Sequence, residues 1–273
     1  MDFLDKDTKR LLIAIAVFIV VALVVLPSFL SGNMFRFPGS DILGNIAGGV
    51  RESAKSNPFI NNNKTITSKK DYKLENDVDY SINIETNKGK IKIDLFENYA
   101  PKNTANILSL VESNVYSNVF FQKSNKVVLT KTNVNIDYNV EDEINADYLG
   151  LNSIYVRDAY FLRSIYDPNN PNTKNFSPEN LTKYEELTLK QFYSNILGYK
   201  YNPSLQTPRA QKYMVYMISS GPNTNKADFF ILMTADNPEI DGRFTPVGVV
   251  REGMDILEQQ NNIQIKNIDI VKQ

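Results

Sequence analysis

Gly221 to Ile231 reads Gly-Pro-Asn-Thr-Asn-Lys-Ala-Asp-Phe-Phe-Ile, and Asp241-Gly242-Arg243-Phe244 follows shortly after. A turn-forming polar run that feeds into a paired-aromatic strand sets hydrogen-bonding groups beside an aromatic wall, which suits holding an extended peptide. Two absences bound the chemistry available there. The chain has no Cys and no His, so thiolate nucleophiles, disulfides, sulfur-rich zinc sites, Ser-His-Asp hydrolysis and His-containing metal triads are excluded. Carboxylate or lysine chemistry survives, as does catalysis that moves no proton. No metal or cofactor is expected.

The elements that must position these residues are mostly strands. Tyr80–Thr86 and Lys90–Phe96 alternate apolar and polar residues on either side of an Asn87-Lys88-Gly89 turn, the pattern of a half-buried hairpin. Ala100-Pro101 then opens a helical spacing of Ala105, Ile107, Leu108, Leu110 and Val111 that stops at Asn114. Val119–Gln122, Lys126–Thr130, Tyr213–Ile218, Phe229–Met233, Pro246–Val250 and the run Ile263, Ile265, Ile268, Ile270 read as further strands. Roughly eight short strands with few helices predict a mainly β, antiparallel barrel, whose closure hides the sheet edges.

Before this body lies Leu11 to Leu26, sixteen uninterrupted apolar residues extended by Pro27 to Leu30. Twenty residues at about 1.5 Å each cover the roughly 30 Å hydrocarbon core of a bilayer. The reading is therefore a cytoplasmic segment 1–10, a transmembrane helix 11–30, a flexible tether 31–75 and a body 76–273 on the extracytoplasmic side of the cell membrane. Lys6, Lys9 and Arg10 before the span, against Arg36 after it, set that orientation. A formal charge of −1 with no long basic run excludes a nucleic-acid partner.

The order of Thr86-Asn87-Lys88-Gly89, Ala100-Pro101-Lys102-Asn103-Thr104 with Asn106, Tyr116 to Phe121, Gly221 to Ile231, Asp241-Gly242-Arg243 and Gly248 to Asp255 resembles the cyclophilin-type peptidyl-prolyl isomerases. The resemblance covers about residues 80 to 273. It implies an eight-stranded antiparallel barrel capped by two helices, with an outer groove that binds Xaa-Pro segments. The stretch 133–212 resembles the enlarged insertion of a bacterial subgroup. Within it, Ile154–Ile165 and Leu187–Leu197 read as helices joined by a Pro- and Asn-rich loop, and they either flank the groove or brace the barrel.

Rotation about a prolyl bond must overcome a barrier of roughly 18–20 kcal/mol. Favouring the twisted state, with a donor for the prolyl nitrogen and an apolar grip on the ring, is sufficient. In the family a Phe-His-Arg triplet supplies the donor; here the triplet is Phe121-Gln122-Lys123, so the resemblance makes Lys123 the catalytic residue. Lysine lacks the planar fork of arginine, so the exchange is not conservative.

By the same resemblance the groove is lined by Phe121, Val128, Leu129, Lys131, Ile218, Ser219, Asp228, Phe230, Ile240 and Phe244. Val128 replaces an aromatic, Lys131 and Asp228 each replace Gln, Ile218 replaces Ala, Glu239 replaces Trp and Phe244 replaces His. Asp228 is placed to pair with Lys123 or Lys131, which would tie up the donor. Three functions follow: a membrane-anchored prolyl isomerase of weak activity acting on extracytoplasmic proteins, an inactive module that binds a proline-containing peptide or client protein, or a structural subunit using 133–212 as its contact surface.

Overall fold

The computed structural model describes residues 65–67, 71–132 and 134–273. The expected span 11–30, the segment before it and most of the expected tether lie outside the described residues. Among the described residues no helix is long and apolar enough to cross a membrane.

The described residues form ten strands, β1 (Thr65–Ile66), β2 (Tyr80–Thr86), β3 (Gly89–Leu95), β4 (Gln122–Lys123), β5 (Val127–Leu129), β6 (Asn135–Ile136), β7 (Met214–Met217), β8 (Phe229–Leu232), β9 (Pro246–Glu252) and β10 (Ile265–Lys272). Eight of them form one sheet in the order β10-β2-β3-β9-β7-β8-β5-β4, antiparallel throughout. The sheet curls into a half-barrel. An antiparallel bridge between Phe120 and Gln264, with Phe121 N–H donating to Ile263 C=O at 2.9 Å, ties the approach to β4 to the approach to β10. The expected strand Val119–Gln122 is thus reduced to that bridge and two residues of β4.

Alternation sorts the side chains by face. Val215, Met217, Phe229, Ile231 and Val128 point into the main core, while Met214, Tyr216, Phe230, Leu232 and Val127 build a second apolar cluster on the opposite face. Two helices close the main core: α1 (Pro101–Glu112) buries Ile107, Leu108 and Leu110, and α4 (Met254–Gln259) buries Ile256 and Leu257.

The insertion has a core of its own around Ile144, Leu162, Ile165, Phe176, Phe192 and Tyr193. Its two expected helices are corrected. Residues 154–165 form 3-10 turns, Val156–Asp158 and Tyr160–Ile165. Residues 189–196 form one α turn, α3 (Leu189–Gln191), that passes into a π turn (Phe192–Ile196). The expected loop holds a further 3-10 turn, Pro171–Phe176, before the short α2 (Pro178–Lys183). Buried aromatics spaced for packing, not for regular backbone, explain the difference.

The end of the expected tether is also fixed to the body. β1 pairs in parallel with β6, Tyr72 meets the Tyr80 ring edge-on at 6.1 Å, and Glu75 pairs with Lys272 at 2.6 Å.

Candidate active site

The 221–225 turn is held by a network that begins in the insertion. Asp142 and Asn223 exchange bonds, with Asp142 N–H donating to Asn223 Oδ1 at 2.9 Å and Asn223 N–H donating to Asp142 Oδ2 at 2.6 Å. Asn225 Nδ2 donates to Asp142 Oδ1 at 3.1 Å. Helix α1 and the turn after it hold the next residues: Asn106 Nδ2 donates to Lys226 C=O at 2.6 Å and the Tyr116 hydroxyl to Ala227 C=O at 2.8 Å.

The N-cap of helix α1 is Ala100, which offers no capping side chain. Glu143 caps it from the insertion instead, accepting from Lys102 N–H at 3.0 Å, Asn103 N–H at 2.8 Å and Asn103 Nδ2 at 2.9 Å. The available signal in the sequence is a helix start without Ser, Thr, Asp or Asn at its N-cap, which leaves its first N–H groups to be met from elsewhere. Nothing in the spacing says which carboxylate meets them.

The structure divides the expected groove residues. Leu129, Ile218, Phe230, Ile240 and Phe244 come together in the apolar cluster on the outer face. Phe230 is 0 % exposed, stacked on Tyr216 at 5.5 Å and met edge-on by Phe244 at 5.3 Å. Phe121 and Val128 belong to the main core, where Phe121 packs against Phe229 at 6.4 Å. Ser219 is buried just past β7, and Lys131 is half-buried beyond β5.

Lys123 stands opposite Val128, which stands opposite Ile231, so register puts it in line with the core-facing side of the sheet. Its ammonium donates to the Glu258 backbone carbonyl at the end of α4. The residue in line with Phe230 is Gln122, through the pairs Gln122–Leu129, Leu129–Phe230 and Phe230–Tyr216. Sequence reasoning passed over it. Lys126 meets a groove position as well, pairing with the buried Glu239 at 3.3 Å.

Among the described residues no salt bridge joins Asp228 to Lys123, whose ammonium goes to Glu258. Asp228 Oδ1 accepts from Thr132 N–H at 2.7 Å. Burial pushes its carboxyl up to about 6, against weaker opposing pulls from the threonine hydrogen bonds and, least of all, from Lys131.

The insertion braces the turn that carries Ile240 and Phe244. Tyr201 OH donates to Gly242 C=O at 2.9 Å, and Ala210 N–H to Asp241 Oδ1 at 2.8 Å. The buried Arg243 guanidinium lies 5.0 Å from the Phe176 ring and 5.5 Å from Phe244. Gly242 adopts φ +80°, and a Cβ there would stand 2.3 Å from Leu151 Cδ1. Gly242→Ala is therefore expected to cost at least about 1–3 kcal/mol by overpacking, read as a lower urea midpoint.

A profile of the cyclophilin type peptidyl-prolyl cis-trans isomerase family matches residues 81–273. The chain belongs to the cyclophilin family. Human peptidyl-prolyl cis-trans isomerase-like 3 is 23% identical to this cyclophilin over 185 residues, 68% of this chain and 84% of that protein. Arabidopsis thaliana peptidyl-prolyl cis-trans isomerase CYP18-2 is 40% identical over 53 residues, 19% of this chain and 32% of that protein. Among solved structures, a Cryptosporidium parvum cyclophilin type isomerase aligns with TM-score 0.42 and 18% identity over 71% of this chain and 98% of its own.

One property of this cyclophilin runs against the usual acid behaviour of proteins. Burial pushes the Asp142 carboxyl up to about 6, and those of Asp228 and Asp241 likewise. An unfolded Asp titrates near about 3.9. Between about pH 4 and 6 the folded chain therefore holds more protons than the unfolded chain, and its stability rises as pH falls through that window. The melting temperature is expected to be higher at about pH 5 than at about pH 7.5. Asp142, 8% exposed, is one of the three contributors. Asp142→Asn should flatten the profile.

Proposed function

We propose that this cyclophilin is a peptidyl-prolyl isomerase of weak activity, anchored by residues 11–30 with its body on the extracytoplasmic side, acting on Xaa-Pro segments of proteins there. The observation that carries the weak activity is the placement of Lys123, in register with the core-facing side and bonded to Glu258 instead of lying over Phe230. With Lys123 turned away, Lys126 paired to Glu239 and Arg243 held against the Phe176 and Phe244 rings, the twisted prolyl bond is stabilised by apolar contact and by the Gln122 amide. A neutral amide donor stabilises developing charge less than guanidinium does.

A second reading, a peptide-binding module without turnover, is favoured by the complete burial of Phe230 behind Tyr216 and Phe244. Relaxation of a cis-enriched Xaa-Pro peptide in the presence of the full chain separates the two: slow, saturable acceleration supports the enzyme, and binding with no acceleration supports the module. Protease added to intact cells tests the anchoring; digestion of the body with survival of an N-terminal fragment is expected, and full protection would reverse the orientation.

A further inference from the structure

An open cleft of about 420 Å³ lies at the Lys123 end of the sheet, lined by Lys123, Ser124, Asn125, Met233, Glu258 and Asn261. Its charge balance is uneven. Glu258 is already engaged, since its Oε1 accepts from Lys212 Nζ at 2.7 Å and from the Tyr213 hydroxyl. Those two hydrogen bonds hold its carboxyl below the usual range, so it stays ionised and matched to Lys212. Lys123 meets a backbone carbonyl there and not a carboxylate. The cleft thus holds two ammonium groups, Lys212 and Lys123, beside the single Glu258 carboxylate, whose hydrogen bonds go to Lys212 and Tyr213 and on which Lys123 acts only more weakly through its charge.

The other groups complete a recognisable chemistry. Asn125 and Asn261 are exposed, and their amides make no hydrogen bond among the described residues. Two amide donors beside an ammonium suit a carboxylate, whose two oxygens accept several hydrogen bonds at once. A single lysine matches a monoanion better than a phosphate dianion. Met233, part of the apolar packing, offers a soft floor for an aliphatic stem. β4, the terminal strand of the sheet order, carries Lys123 into the cleft.

We propose that this cleft binds the carboxylate of an extended peptide, with Lys123 as the cation and Asn125 and Asn261 as amide donors. The carboxylate comes from an acidic side chain or from a peptide C-terminus. The site is separate from the Phe230 cluster and needs no proline.

Isothermal titration of the detergent-solubilised full chain with proline-free peptides tests it. One peptide carries Glu and an amidated end, a second carries Gln and a free end, and a third carries Gln and an amidated end. Either or both of the first two should bind at least about tenfold more tightly than the third, and which one does so identifies the source of the carboxylate. Lys123→Gln should remove that advantage and Lys123→Arg should keep it, while Lys126→Gln leaves it unchanged. Lys123 is exposed, so an unchanged urea midpoint confirms that the variants are folded. Equal binding of all three peptides, no binding of any, or an advantage that survives Lys123→Gln overturns the proposal. The readout is binding without turnover, so its failure leaves the isomerase reading standing, and absent isomerase activity leaves this proposal standing.

Discussion

Phe230→Ala is expected to lower the stability of the chain by about 3–5 kcal/mol. Phe230 has no exposed surface, and its ring is fixed by the Tyr216 stack across β7 and β8 and by the Phe244 edge from the 237–244 turn. Truncation would remove contacts on both sides and leave a cavity that neighbouring strands cannot close, because the same strands hold the main core through Phe229 and Ile231. The floor of an open peptide groove would behave differently, since part of its surface already faces water. Urea denaturation reads the difference directly: a large fall in midpoint with unchanged slope supports a covered cluster, and a loss below about 1 kcal/mol would mark the ring as an exposed platform.

Glu143→Ala is expected to cost about 2–4 kcal/mol, because it strips the buried Asn103 N–H and the part-buried Lys102 N–H of their acceptor, a buried donor left unmet costing about 1–3 kcal/mol. The carboxylate, 5% exposed, is the cap that α1 does not carry in its own sequence. It is also pinned from behind, since Glu143 N–H donates to Thr245 Oγ1 at 3.0 Å. Glu143→Gln should recover part of the loss, because its single carbonyl oxygen can still accept one of the N–H groups. As the 140–145 segment also holds the Asn223 turn, backbone hydrogen exchange in the first turn of α1 and in residues 221–226 should accelerate together in the Ala variant. Exchange confined to the insertion would contradict the cap.

Much of the antiparallel half-barrel could be read from alternation, though not that its sheet stops short of the closed barrel expected. The hairpin of β2 and β3, the helical spacing after Pro101 and the aromatic strand β8 all carry their burial pattern in the residues themselves. The apolar part of the groove was legible for the same reason, since Leu129, Ile218, Phe230, Ile240 and Phe244 do share one cluster. The polar part was not. Lys123 sits on a two-residue strand whose face is set by its pairing with Val128, and a shift of one residue would have turned it to the other side. No local spacing encodes that register. Glu143 acts across 40 residues of chain on Asn103, a distance at which sequence offers no pattern. The insertion was misread as two regular helices because its aromatics fill a small separate core through short 3-10 and π turns.

Weak isomerase activity follows from Lys123 standing away from the outer face. The most direct test measures cis-to-trans relaxation of an Xaa-Pro peptide by the full chain beside its Lys123→Ala variant, at matched concentration and with folding confirmed for both. Slight acceleration, the same in both proteins, is the predicted result. Rapid, saturable acceleration that Lys123→Ala abolishes would contradict it and return Lys123 to the catalytic groove.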